Sequence, residues 1–211
     1  TDDIVIVDSG STDDTIAICK KMNAHIIETG WAGYGINKNI GIDAAKNDWI
    51  LSLDADEAID TELQQNLLQL CLTNDEEVFD IRFKNFFCNK WIRFGEWGFD
   101  WHIRLFNRTK VKWNNVAVHE NLIFFVGVTV TKLKGNILHY TVQNRQEYDA
   151  KTDHYARMNA RKYVDSGKNP SSYKQYFSPA FAFIQHYIFR LGFLDGAEGF
   201  IIAKTTARYT F

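Results

Sequence analysis

Apolar residues arrive in short runs along the first quarter of the chain, separated by polar, glycine-containing stretches. "DIVIVD" holds one such run, Ile4 to Val7, which reads as a short, fully buried strand. "TIAICKKMNA" is helical, and Ser11 or Thr12 is expected to cap it, with Asp13 and Asp14 in its positively polarised first turn. "HIIET" is the next strand. "GYGINKNIGIDAAKND" is a glycine-punctuated loop running into a second helix, and "WILSLDA" is a further strand. Two strand–helix–strand units this close together predict an α/β fold, a mostly parallel sheet flanked by helices.

The texture then changes. "DTELQQNLLQLC" (60–71) has the pattern of an amphipathic helix, whereas Phe79 to Gly127 is rich in β-branched and aromatic residues with short polar turns, which predicts mixed or antiparallel strands. After "GNILHY" the pattern is helical through Lys162; "SGKNPSS" interrupts it, and residues 173–211 form a second, aromatic-rich helical region. The organisation expected is a sheet-bearing domain over residues 1–139 and a helical C-terminal extension over 140–211. Parallel sheets rarely open on a strand with no preceding neighbour, yet the first strand starts almost at residue 1. Either this is a natural terminus or an upstream strand and helix are missing.

Composition narrows the class of function. A chain of 211 residues with 45% hydrophobic and 24% charged residues is globular. Its formal charge of -2 gives no support to nucleic-acid binding through a strongly basic surface. Charge is uneven: residues 140–211 carry ten Lys/Arg against six Asp/Glu, a net of +4, which leaves -6 for residues 1–139. A basic tail suits an anionic membrane surface, though such an imbalance is often only solvated surface. The cysteines, Cys19, Cys71 and Cys88, match neither a disulfide framework nor a zinc pattern, so a reducing compartment is the simpler expectation. No apolar run is long enough to span a bilayer.

In α/β sheets, ligands bind beyond the carboxyl ends of strands, where Asp8 and Asp54 both fall. Asp54 and Asp56 project the same way if their strand continues, and two like charges this close call for a cation or hydrogen-bond donors. A hard divalent ion shared with substrate phosphate would serve; so would a turn that faces water. Asp8 could accept from a base or sugar, or merely from loop amides. No G-x-G-x-x-G or P-loop is present, so a nucleotide site has to be built from side chains. Lys38, between glycine-containing turns, could meet a diphosphate or face solvent from a helix. Glu120, closing "VAVHE" after His119, could be a general base or half of an ordinary strand-end pair. His139 could ligate metal or bond locally. Arg104 sits on an apolar strand, where a charge needs a carboxylate or phosphate partner.

Taken together, "DIVIVDSGSTDDT", "GYGINKNIG" and "WILSLDADE" resemble the family 2 glycosyltransferases, with their GT-A fold and D-x-D signature. "RLF", "VHE", "GNILHYT" and "FLDGAEGF" are similar to the bacterial subgroup of WaaE/KdtX-type lipopolysaccharide core glucosyltransferases. Members of the family usually begin with a further strand and helix and run on after the last motif. The resemblance implies that Asp8, with Ser9 and Gly10 beside it, meets the nucleoside part of the donor. Lys38 and Arg104 are donor-binding candidates on the reading of the residues above, while the resemblance implies that Asp54 is a ribose- or metal-side partner and that Asp56 is the direct metal ligand. His139 occupies a place where related enzymes supply a histidine to the metal. Glu120 is the candidate base, although the family more often has aspartate in that role.

The implied reaction is inverting transfer of a hexose, glucose, from UDP-glucose or a close relative to a saccharide or lipid-linked acceptor, with Mg²⁺ or Mn²⁺ as cofactor. It belongs to cell-envelope polysaccharide or lipopolysaccharide synthesis, in the cytoplasm at the inner face of the bacterial inner membrane. The aromatic C-terminal region fits peripheral membrane contact, packing on the main domain or a homo-oligomer equally. The other readings are a nucleotidyltransferase and a carbohydrate-binding relative without turnover.

Overall fold

A computed structural model of the 211-residue chain describes residues 3–115, 120–167 and 171–211. Its elements in chain order begin with β1 (Val5–Asp8), α1 (Thr15–Lys21), β2 (His25–Glu28), α2 (Tyr34–Ala44), β3 (Trp49–Leu51), β4 (Glu57–Ile59) and α3 (Thr61–Gln69). The aromatic-rich segment supplies β5 (Glu77–Phe87), β6 (Lys90–Trp91), β7 (Asp100–Asn107), β8 (Val111–Trp113), β9 (Leu122–Phe124) and β10 (Thr129–Val142). Helices α4 (Arg145–Asp165), α5 (Ser172–Ile184) and α6 (Gly196–Thr210) form the helical C-terminal region that the sequence predicts. The fold is mixed α/β. The chain divides into two compact units, the first comprising Thr1–Leu53, Gln69–Asp80 and Ile103–Leu133, the second Asp54–Leu68, Ile81–His102 and Lys134–Phe211.

In the first unit β1 and β2 pair in parallel, with Val5 opposite His25 and Asp8 opposite Glu28, as the first strand–helix–strand pattern requires. Helix α1 starts later than expected. Ser11 does not cap it, because the Ser11 backbone N–H and hydroxyl both bond the Asp8 carboxylate. Nor does Thr12: the N-cap is Asp14, without a side-chain cap bond, and the Asp13 carboxylate receives both the N–H and the hydroxyl of Thr15. This Asx turn sets the first helical turn instead. Strand β3 pairs antiparallel with β7, placing Ile50 opposite Phe106 and Leu51 opposite Leu105, and β8 pairs antiparallel with β9. Ile42 of α2 packs with Val78, Phe106, Val111 and Trp113 to make the core of this unit. Each such side chain removed from water contributes roughly 1.5–3 kcal/mol.

The apolar run of residues 51–53, which closes this stretch of the first unit, does not carry its strand through the acidic pair with which the second unit opens. β3 ends at Leu51, the D-A-D-E segment is a turn, and β4 begins at Glu57. Strand β4 runs antiparallel to β10, with Glu57 opposite His139 and Ile59 opposite Ile137. β5 and β6 form a hairpin with Phe87 opposite Lys90. Asn144 caps α4 by accepting the Glu147 N–H on Oδ1 at 2.8 Å. Helix α5 runs on into a π-helical turn, Gln185–Phe189, then a 3₁₀ turn, Gly192–Asp195. Phe87, Ile92, Val142 and Ile202 form the core here, with Trp97 and Tyr148 against them.

The closing "FLDGAEGF" motif has a packing role in this arrangement. The buried Asp195 carboxylate accepts the N–H groups of Arg93 and Phe94, and Lys90 donates to the Asp195 carbonyl and the Glu198 carboxylate. A Cβ on Gly199 would lie 1.9 Å from the Gly192 carbonyl oxygen, so α6 reaches this turn only with glycine there. Among the described residues, no helix is long and apolar enough to cross a membrane.

Candidate functional site

The second unit brings Asp56, Glu57 and His139 together, each offering a ligand atom within 4.8 Å of the others. Local structure explains the convergence. The turn closes on itself, the Glu57 N–H donating to the Asp54 carbonyl while Glu57 Oε2 accepts the Asp54 N–H, both at 3.0 Å. The Tyr140 N–H bonds the Asp56 carbonyl at 2.9 Å, and the strand register sets Glu57 opposite His139. Asp54 opens the turn that presents Asp56 and Glu57, and it is not one of the three residues in the group.

The chemistry of this group depends on Asn85, buried on β5. Its Nδ2 donates to Asp100 Oδ2 at 2.9 Å and to the Trp97 carbonyl at 3.2 Å, so Oδ1 is the acceptor facing His139 Nδ1 at 2.8 Å. His139 therefore carries its hydrogen on Nδ1 and turns Nε2 toward Asp56 Oδ2, 3.3 Å away. A neutral imidazole would set a lone pair against a carboxylate there. Only a proton or a cation between them makes the arrangement favourable. The hydrogen bond with His139 holds the Asp56 carboxyl below its usual range, against the opposing effect of burial. Burial pushes Asp100 up, but its bond and charge interaction with His102 and the Asn85 bond more than offset this, leaving it lowered and ionised. Two carboxylates plus an imidazole oriented through an amide and a carboxylate make a donor set that fits a divalent cation. Asn85→Ala is expected to weaken Mn²⁺ binding by about 10–100-fold, measured by calorimetric titration of protein whose far-ultraviolet spectrum is unchanged.

In the first unit the Asp8 carboxylate is buried and already engaged. Oδ2 accepts the N–H groups of Gly10 and Ser11 at 2.9 and 3.0 Å, and Oδ1 accepts the Ser11 hydroxyl. These bonds, the Ser11 hydroxyl first, hold its carboxyl below the usual range. A carboxylate has about four acceptor positions, so Asp8 keeps capacity for one more donor. Gly10, at φ +99°, lets the loop fold back over it. Buried Asn37 ties this loop to α2, donating from Nδ2 to Ser9 Oγ at 2.7 Å and accepting the Ala32 N–H at 3.2 Å.

Lys38 lies inside α2, not between two turns as its glycine neighbours suggest, and it does not face solvent. Its Nζ sits 2.8 Å from Glu120 Oε1, with side chains 14% and 15% exposed, and 4.6 Å from the centroid of the Trp113 ring. Asn39 clamps the Trp113 backbone from both sides, donating to its carbonyl at 2.8 Å and accepting its N–H at 3.0 Å. Gly35 permits this approach, since a Cβ there would stand 1.9 Å from the Asn114 carbonyl oxygen. Arg104 is buried on β7, as its apolar neighbours predict. His119, which precedes Glu120 in the "VHE" motif, lies outside the described residues.

Residues 1–190 match Glycosyl transferase family 2. The chain belongs to that family. Lipopolysaccharide core biosynthesis glycosyltransferase LpsC of Rhizobium meliloti is 31% identical over 221 residues, 99% of this chain and 80% of its own length. Uncharacterized glycosyltransferases of Rickettsia conorii and Rickettsia typhi are 27% and 26% identical, each over 212 residues covering 95% of this chain and 75% and 72% of theirs. This family 2 glycosyltransferase is thus related to bacterial envelope enzymes, and its D-A-D-E turn supplies two of the three residues of the candidate metal centre. Glu57 is absent from the metal set inferred from sequence, although it stands in the same acidic run. Asn37 and Asn85 gave no signal, being single asparagines within ordinary helix and strand patterns.

Proposed function

We propose that the enzyme moves glucose from UDP-glucose to a glycan or glycolipid acceptor with inversion, in lipopolysaccharide core or related envelope synthesis of the WaaE/KdtX type. Work on such an acceptor places it in the cytoplasm, at the inner face of the inner membrane. The observation that carries the reading is the Asp56–Glu57–His139 group on a family 2 chain. The relative named for lipopolysaccharide core biosynthesis supports the acceptor class. Asp56, Glu57 and His139 would hold Mg²⁺ or Mn²⁺, with Asp54 at the head of their turn toward the donor. Such an ion supplies charge stabilisation to a departing diphosphate.

Roles for the chain's own residues follow. Asp8 uses its remaining acceptor position on the nucleoside, with Ser9 and Gly10 shaping that loop. Lys38 and Arg104 are cations for the diphosphate. Glu120 takes the proton of the acceptor hydroxyl as that oxygen forms its bond to the anomeric carbon, and the bond to the diphosphate breaks. One displacement turns an α-linked donor into a β-glycoside and yields UDP and a proton, with no covalent sugar–enzyme intermediate.

The test is product analysis with UDP-glucose and Mn²⁺ or Mg²⁺. Metal-dependent formation of UDP is expected. Pyrophosphate from nucleoside triphosphate and sugar phosphate would assign nucleotidyl transfer instead. Binding of the nucleotide sugar without any turnover would make the protein a binding relative.

A further inference from the structure

Helix α5 and the π-helical turn that continues it present Tyr173, Phe177, Phe181, Ile184, Ile188 and Phe189 to solvent. Their spacing of three and four residues lays most of them along one stripe. Phe181 is 61% exposed and Phe189 73%. From Tyr173 to Phe189 the stripe is roughly 24 Å long at the helical rise per residue, far more than a scattering of single apolar residues.

Along this segment the sequence carries charge of one sign. From Ser171 to Leu194 the sequence contains no aspartate or glutamate, while Lys174 and Arg190, both exposed, stand near its two ends. The next acid, Asp195, is buried on backbone N–H groups and contributes nothing to the surface. A cationic, aromatic face on a chain of net charge -2 is locally out of keeping with the rest of the protein.

We propose that this face lies on an anionic lipid surface. The phenyl and alkyl groups enter the boundary between headgroups and acyl chains, and Lys174 and Arg190 extend to lipid phosphates at either end. A second copy of the chain fits less well. Two-fold antiparallel pairing along the stripe would bring Lys174 of one copy against Arg190 of the other, and the segment itself offers no carboxylate to offset them. The inference deepens the glycolipid part of the proposed function and takes its biological sense from that reading. Its test needs no turnover, so the two fail separately.

The test is co-sedimentation of the protein with phosphatidylcholine vesicles made with or without phosphatidylglycerol. Binding to the anionic vesicles is expected to exceed binding to neutral ones by roughly thirtyfold for two cations at the surface. The double substitution Phe181→Ser with Phe189→Ser is expected to lower that binding by about tenfold or more. Phe99→Ser, at a residue 69% exposed outside these helices, should leave it unchanged. All of these side chains are exposed, so folding is retained and is checked by thermal denaturation. Failure to bind either vesicle overturns the proposal, as does binding that the double substitution leaves intact. A dimer that dissociates on that substitution, with no vesicle binding, assigns the face to self-association.

Discussion

Replacing Asp56 by asparagine is expected to lower the rate of sugar transfer by about a thousandfold while leaving the fold intact. The substitution keeps shape and removes one charge from a three-residue group whose other members, Glu57 and His139, remain. The side chain is 43% exposed in a turn, and its ion pair with His139 at 3.3 Å is partly solvated. Such pairs are worth about 1 kcal/mol or less, so the melting temperature should move little. Mn²⁺ affinity and rate should fall together, and excess Mn²⁺ should recover part of the rate, because Glu57 and the Asn85-oriented imidazole of His139 persist. Chelation of the wild-type enzyme should reproduce the loss. A variant that transfers within tenfold of wild type, with unchanged response to Mn²⁺, removes Asp56 from the metal centre.

The outline of that candidate centre, with Asp56 and His139, was legible in the sequence, and the place of Glu57 in it was not. An apolar run ending in D-A-D-E marks a strand edge loaded with charge, and the structure places the acids there. Alternation along a strand suggested that Asp54 and Asp56 share a face. The chain instead leaves the strand after Leu51 and turns, so the ligand pair in the group is Asp56 with its neighbour Glu57. Turn formation here depends on Glu57 accepting the Asp54 N–H, a side-chain choice that periodicity cannot reveal. Likewise, Asn85 becomes informative only once β10 brings His139 to it, across 54 residues of sequence. The same limit affected α1. Ser11 has the chemistry of a cap, but Asp8 lies three residues away and takes its hydroxyl. Element types depend on local pattern and were readable; partners depend on which strands meet.

For Glu120→Gln the expectation is a fall in turnover by about 10²–10⁴, with donor affinity unchanged or, where the diphosphate takes the Lys38 ammonium, tighter, because the amide keeps the shape of the side chain but cannot take a proton. The structure adds a second variant that separates two roles for Lys38. Its ammonium is 2.8 Å from Glu120 Oε1, and both side chains are largely withdrawn from solvent beside Trp113. If Lys38 binds the donor diphosphate, Lys38→Met raises the KM for the nucleotide sugar while kcat changes less. If it serves chiefly to position Glu120, kcat falls and the donor dissociation constant stays where it was. In the first case a diphosphate competes with Glu120 for the same ammonium, so donor binding itself loosens the carboxylate that must accept the acceptor's proton. That coupling predicts that donor must bind before acceptor for productive transfer, which initial-rate patterns with both substrates varied will show. Turnover by Glu120→Gln within twofold of wild type would exclude Glu120 as the base, and with it the coupling.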